Sequence, residues 1–238
     1  MGDVLSSLWA TVRIIGPACW ELSKHRDHSF DPWSTIARRE YIWRVGHHSW
    51  ARRICENIEL QVTVSGLAKF DHRERFVVVS NHASWLDIVV ITYAIPNVFA
   101  FGCKKELLSW PLVGHVIKDG GQIILDRNNR HQAIRALKDG VSTDLGSSVL
   151  IFPEGTRTRD GKLLPFKKGA FRASQSSGMR ILPVGIRGSF EALPKGPLWR
   201  YDPKVPVEVR FGRPISPNGK NLEEFIDETQ GAVQRLLG

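Results

Sequence analysis

With 238 residues, 42% of them apolar, the chain is long enough for one large domain, or one domain plus an appended element, and too apolar to be disordered. Three scattered cysteines, Cys19, Cys55 and Cys103, with no CxxC pair, argue against a disulfide framework or a cysteine metal site and suit a reducing compartment. The net charge is +9 and uneven: residues 1–60 hold 8 bases against 7 acids, residues 61–238 hold 25 against 17. Within 157–187 eight bases face the single acid Asp160. Such a surplus is either a solvated basic face or a seat for an anion, whether nucleic acid, phosphate metabolite or acidic lipid.

The start of the chain has no basic n-region followed by an apolar run and a small-residue cleavage site, so no cleaved signal is expected. Residues 4–22 are apolar, but Arg13 lies in their middle and Gly16-Pro17 interrupts them, which a spanning helix tolerates poorly. Trp9 and Trp20 flank this run as interfacial anchors do. Residues 39–60 mix Trp43, Trp50, Ile42 and Ile54 with Arg39, Arg44, Arg52 and Arg53. That is the composition of a helix lying in a membrane interface. Residues 1–60 are therefore expected to be an amphipathic, membrane-associated helical pair, and 61–238 a separate domain.

From residue 60 the pattern changes. LQVTVSG (60–66) alternates like an edge or hairpin strand. RFVVVS (75–80) is a β-branched run, as in a strand covered on both faces. SWLDIVVITYAI (84–95) predicts a buried helix with Ser84 as its cap. Strands are predicted over 98–103, 121–127, 147–153, 180–188 and 205–212. Helices are predicted over 111–120, 130–140, 169–178 and 221–237. SFEALPKGPLWRYDPK (189–204) reads as a three-proline loop over a site. Alternation of this kind defines an α/β class: a mostly parallel central sheet flanked by helices, here with the N-terminal two-helix element.

Sites in such sheets lie at the carboxyl ends of the strands. After 75–80 come Asn81, His82 and Asp87; after 98–103, Lys104 and Lys105; after 121–126, Arg127; and after 148–152, Glu154, Arg157 and Arg159. His82 and Asp87 are five residues apart, about 140° out of phase on a straight helix. They meet only if His82 occupies the turn and Asp87 the first turn of the helix. There the carboxylate holds one ring nitrogen and leaves the other free to take a proton. The chain has no GxSxG, so such a base would act on a hydroxyl of the substrate. A capping Asp beside a structural His is the ordinary alternative. Gly155 to Gly161-Lys162 is nearly a phosphate loop, but the spacing is one residue too long and Leu163 replaces the Ser or Thr. Nucleotide triphosphate hydrolysis is thereby set aside, while a turn of backbone N–H groups beside Arg157 still suits a phosphate monoester.

Four blocks in order now resemble a known family. NHASWLD fits the NHxxxxD motif of the glycerolipid acyltransferases, and residues 103–129 resemble their second block, with a basic pair, Pro-x-x-Gly and Asp-Arg. FPEGTRTR is similar to the third block, FPEGTRS, with Thr158 in the serine place, and ILPVGI (181–186) to the fourth. The likeness covers about residues 75–190 and is strongest to the branch that acylates 1-acyl-sn-glycerol-3-phosphate. It implies that His82 is the general base and Asp87 its orienting carboxylate, with no acyl-enzyme. It implies acceptor binding by Lys104 or Lys105, Arg127, Glu154, Gly155, Thr156 and Arg157, and acyl-side shaping by Pro183 and Val184. The donor would be acyl-CoA or acyl-carrier protein; neither a metal nor another cofactor is implied. The implied partners are a membrane surface and the lysophospholipid acceptor, and the location the cytoplasmic face of a membrane, where the N-terminal pair rests. Rival readings are an acyltransferase for a larger-headed lysolipid or an aminolipid, and a lipid-binding module without catalysis. Nucleic acid is not expected, because the bases interleave with motif glycines and prolines rather than with exposed aromatics.

Overall fold

The computed structural model describes residues 48–95, 99–109, 122–125, 132, 139 and 148–238. The apolar run 4–22, the predicted helix 111–120 and Arg127 lie outside the described residues, as does most of the predicted helix 130–140.

Seven strands form one sheet: β1 (Val62–Ser65), β2 (Val77–Ser80), β3 (Phe99–Lys104), β4 (Ile123–Leu125), β5 (Ser148–Ile151), β6 (Ile181–Arg187) and β7 (Val207–Phe211). Their order is β1-β7-β6-β2-β5-β3-β4. All pairings are parallel except β6 with β7, so β1 and β7 run against the other five. The expected class, a mostly parallel sheet flanked by helices, is what forms. LQVTVSG is indeed an edge strand, but it pairs with the distant β7 and not in a hairpin.

The β-branched run of β2 explains its central place. Val77, Val78 and Val79 are all fully buried, and they alternate between two cores. Val78 joins the core formed with α1 (His48–Asn57) and α2 (Leu86–Ala94). Val77 and Val79 join the core that includes Phe171 of α3 (Gly169–Ser177) and Phe225 of α5 (Leu222–Leu237). Each fully buried valine contributes roughly 1.5–3 kcal/mol, so both faces of this strand are committed to packing. Only its carboxyl end is left for chemistry.

Local signals set the helix boundaries. α3 ends at Gly178, which adopts the left-handed conformation at φ 73°. α5 begins with a capping box, Asn221 accepting from the Glu224 N–H and Glu224 accepting from the Asn221 N–H. Ser84 lies one residue before Trp85, the N-cap position of α2, and still binds a first-turn N–H as a cap does. Its hydroxyl donates to the Leu193 carbonyl (2.7 Å) and accepts from the Leu86 N–H (3.1 Å). The N–H groups of Ala83 and Ser84 go to the Asp87 carboxylate.

The second N-terminal segment is described from His48 onward. Ala51, Ile54 and Cys55 of α1 are buried in the same core as α2 and the sheet, and Ile58 and Leu60 continue that contact. Packing thus ties α1 to the sheet domain. The segment 189–204 forms a short helix, α4 (Ser189–Ala192), and a 3-10 turn at Leu198–Arg200. Leu193 is buried, and Leu198 and Tyr201 pack on the same core.

Candidate active site

The chain reaches β2 from β1 on one side and leaves for β3 on the other, so a crevice opens at the carboxyl end of β2. β5 is the neighbour of β2, and its own carboxyl end delivers residues 152–158 to the same edge. β6, the other neighbour, is fastened there by Asn81. The Asn81 amide donates to the Ile186 carbonyl (2.9 Å) and accepts from the Ile186 N–H (2.8 Å), as a further rung of the ladder would.

His82 leaves the strand next. Its Nδ1 lies 2.8 Å from Asp87 Oδ2, with Asp87 the second residue of α2. The imidazole stacks on Phe152, centroids 4.0 Å apart and planes at 16°. Asp87 is completely buried. Its Oδ2 also accepts from Ala83 (2.7 Å) and Ser84 (2.8 Å), and the positive end of the helix favours the carboxylate. Among the described residues Oδ1 has no hydrogen-bond partner. The other ring nitrogen of His82 bonds no Ser or Cys among the described residues. The carboxylate selects the tautomer with the proton on Nδ1, leaving Nε2 as the basic atom.

The third block forms a turn beside this pair. Glu154, 3% exposed, accepts from the His82 N–H (2.6 Å) through one oxygen and from the Leu164 N–H (2.9 Å) through the other. Burial pushes its carboxyl up to about 7, against the pull of those two N–H groups. Gly155 has φ 71°, and a side chain there would run into the Lys167 ammonium. Thr156 is exposed, and its hydroxyl accepts a long hydrogen bond from Lys195 (3.4 Å). Arg157 is half-buried; burial holds its guanidinium below the usual value, and the Asp87 charge opposes that shift. Thr158 is buried, and its N–H donates to the His82 carbonyl (2.9 Å).

Lys104 ends β3 and Lys105 begins the following 3-10 turn, one strand beyond β5 on the same edge, and Lys105 is exposed. Pro183 and Val184 are buried within β6. Three contributors escaped the sequence reading: Phe152 under the imidazole, and Lys167 and Lys195 beside the turn; Asn81 was placed at this edge, but not its hold on β6. Lys167 stood in the basic run, and the 189–204 segment was expected over a site. Which of their side chains reach the turn depends on contacts across the sheet. A separate cavity of about 640 Å³, between α1, β1 and α2, contains none of these residues.

A buried carboxylate that holds a histidine at the carboxyl edge of an α/β sheet, with cations one turn away, is an arrangement in which an imidazole can act as a base. The profile of the Acyltransferase family matches residues 61–187, and the chain belongs to that family. It is 35% identical over 157 residues to the 1-acyl-sn-glycerol-3-phosphate acyltransferase of Limnanthes douglasii, covering 65% of this chain and 55% of that one. To 1-acyl-sn-glycerol-3-phosphate acyltransferase alpha of Mus musculus it is 32% identical over 162 residues, 67% of this chain and 56% of the other. The chain spans about half the length of the curated relatives it matches first. Among solved structures it is similar to the 1-acyl-sn-glycerophosphate (LPA) acyltransferase PlsC of Thermotoga maritima. The TM-score is 0.76 and the identity 26%, covering 98% of this chain and 95% of that one.

Proposed function

We propose that this protein transfers an acyl chain from an acyl thioester to the free hydroxyl of lysophosphatidate, forming phosphatidate in phospholipid biosynthesis. The observation that carries the reading is the 2.8 Å contact between His82 Nδ1 and the buried Asp87, which leaves the opposite ring nitrogen as a base. The likeness to a solved LPA acyltransferase over 98% of the chain, and to a curated 1-acyl-sn-glycerol-3-phosphate acyltransferase over 65% of it, supports the substrate class.

His82 Nε2 takes the proton of the acceptor hydroxyl as that oxygen attacks the thioester carbonyl. Asp87 stabilises the imidazolium that results. Collapse of the tetrahedral intermediate breaks the carbon–sulfur bond, and the imidazolium returns its proton to the departing thiolate. No acyl-enzyme forms, and the donor is acyl-CoA or acyl-carrier protein. Gly155, Thr156 and Arg157 hold the acceptor phosphate, with Lys104, Lys105 and Arg127 as further cations of that subsite. Arg157 has no ion-pair partner among the described residues, which leaves its charge for a ligand. Arg157→Ala is expected to raise the acceptor KM roughly 10- to 100-fold, the effect of removing about 1.5–3 kcal/mol of charge-assisted hydrogen bonding, with a smaller change in kcat. An unchanged KM would take Arg157 out of the site.

A lipid acceptor suits an enzyme at a membrane surface, with the cytoplasmic side as the expected face; of the expected membrane-associated element 1–60, the part from His48 onward packs in the core of the acyltransferase domain, which leaves residues 1–47 for the membrane. Among the described residues no helix is long and apolar enough to cross a membrane. Trp85 and Trp199, the exposed large hydrophobic side chains among them, suit an interfacial position. Deleting residues 1–47 keeps the core side chains of α1, and is expected to release the protein from anionic phospholipid vesicles on sedimentation. Retention would move the membrane contact to the sheet domain.

The test of the reaction is acyl transfer from a CoA thioester to a panel of lysolipids. Transfer to lysophosphatidate supports the reading. Transfer only to larger-headed acceptors replaces the substrate. Failure with every acceptor, repeated with carrier-protein thioesters, overturns catalysis in favour of lipid binding alone.

A further inference from the structure

The resemblance placed Glu154 among the acceptor contacts, yet its side chain is turned inward. Each carboxylate oxygen already receives a backbone N–H, one from His82 at 2.6 Å and one from Leu164 at 2.9 Å. The residue is buried. Its two bonds join the end of β2 to the far side of the 154–164 segment. The same segment answers the other main-chain group of His82, because the Thr158 N–H donates to the His82 carbonyl. Two residues before Glu154, Phe152 supplies the face on which the imidazole lies. On the opposite side Asn81 anchors the preceding residue to β6. Both backbone groups and one ring face of His82 are therefore held by one segment, and Glu154 is the member that binds the His82 N–H.

We propose that Glu154 is a positioning residue: its carboxylate fixes the imidazole by binding the His82 backbone N–H, and it does not contact the acceptor. Each oxygen accepts one backbone N–H, from His82 and from Leu164, so this side chain ties the two ends of the turn together. A rotation of the His82 peptide would swing the ring away from both Asp87 and Phe152. Catalytic geometry is steep in such displacements, and about an ångström can cost roughly 10²-fold in rate. The role in catalysis rests on the acyl-transfer reading; the role in orienting the ring does not.

Glu154→Gln keeps the volume but offers one acceptor oxygen where two are used, and its NH₂ then faces a backbone N–H. For this variant kcat is expected to fall at least about tenfold while the acceptor KM stays within about twofold. The second readout is the imidazole itself, by NMR of the ligand-free protein labelled with ¹⁵N-histidine. The proton shared by His82 Nδ1 and Asp87, assigned by its loss in His82→Ala, should shift or disappear in Glu154→Gln. A raised acceptor KM with unchanged kcat would overturn the proposal, since that is the signature of a ground-state contact. An unmoved ring resonance would overturn it as well. If Glu154→Gln does not fold, Glu154→Asp, which keeps the charge and withdraws it by one methylene, takes its place with the same expected results. If the wild type transfers no acyl chain, the acyl-transfer reading fails and the resonance alone decides the positioning role.

Discussion

His82→Ala is expected to lower the rate of acyl transfer by at least about 10²-fold, and up to about 10⁴-fold, with the fold intact. The size follows from the chemistry. A lysolipid hydroxyl is a poor nucleophile until its proton has somewhere to go, and the leaving thiolate needs that proton back. Both transfers run through one nitrogen in the proposed mechanism. The fold should survive because the described contacts of the turn use the His82 main chain: its N–H on Glu154 and its carbonyl on Thr158. Alanine keeps both. The ring itself is partly exposed and loses only its contacts with Asp87 and Phe152. Steady-state transfer to lysophosphatidate, together with a thermal melt, checks both halves. A variant that keeps more than about a tenth of the wild-type rate would sink the assignment of the base.

Asp87→Asn tests the other member, and its effects should be double. The asparagine oxygen can take the place of Oδ2 and accept from His82, Ala83 and Ser84, so the tautomer is preserved. The charge is not. The imidazolium formed during proton transfer would then sit over a neutral amide in a buried site, and kcat is expected to fall about 10²-fold or more. The acceptor KM should change little. Stability should fall too. The NH₂ group would occupy the place of Oδ1, which is buried and has no partner among the described residues. A buried donor left unsatisfied costs about 1–3 kcal/mol, or a few degrees or more in Tm for a chain of this size. An unchanged rate would remove Asp87 from the chemistry. A lower rate with unchanged Tm would mean that Oδ1 is less confined than its burial indicates.

These expectations depend on features of unequal visibility. The run RFVVVS is legible as a strand covered on both faces, because only a central strand can bury three consecutive valines. NHASWLD is legible as a turn leading into a helix, and arithmetic on its spacing shows where Asp87 must lie if it is to reach His82. Those are short-range statements, since residues 81–87 are close in the chain. Ser84 shows where local reasoning stops. Its hydroxyl accepts from the Leu86 N–H as a cap's would, but it also donates to the Leu193 carbonyl, 109 positions away. α1 is another case: its mixture of arginines and aromatics resembles an interfacial helix, while Ala51, Ile54 and Cys55 are buried in the core shared with the sheet. An amphipathic pattern records that one face is apolar, not which apolar surface it meets.

The sequence by itself determined the class of fold, through alternating β-branched and helical segments, and limited any pairing of His82 with Asp87 to one arrangement, the histidine in the turn and the carboxylate in the first turn of the helix. It also marked 154–157 as a charged turn after a strand. Only the tertiary structure decided what that turn does around the histidine. The β2–β5 pairing brings Glu154 and Thr158 to the two main-chain groups of His82 and Phe152 to its ring, across 70 or more positions of chain. The β2–β6 pairing does the same for Asn81 and Ile186 across 105 positions. Local propensity carries no record of such contacts. They arise when strands distant in sequence satisfy their hydrogen bonds against each other, and the side chains at their ends meet as a consequence.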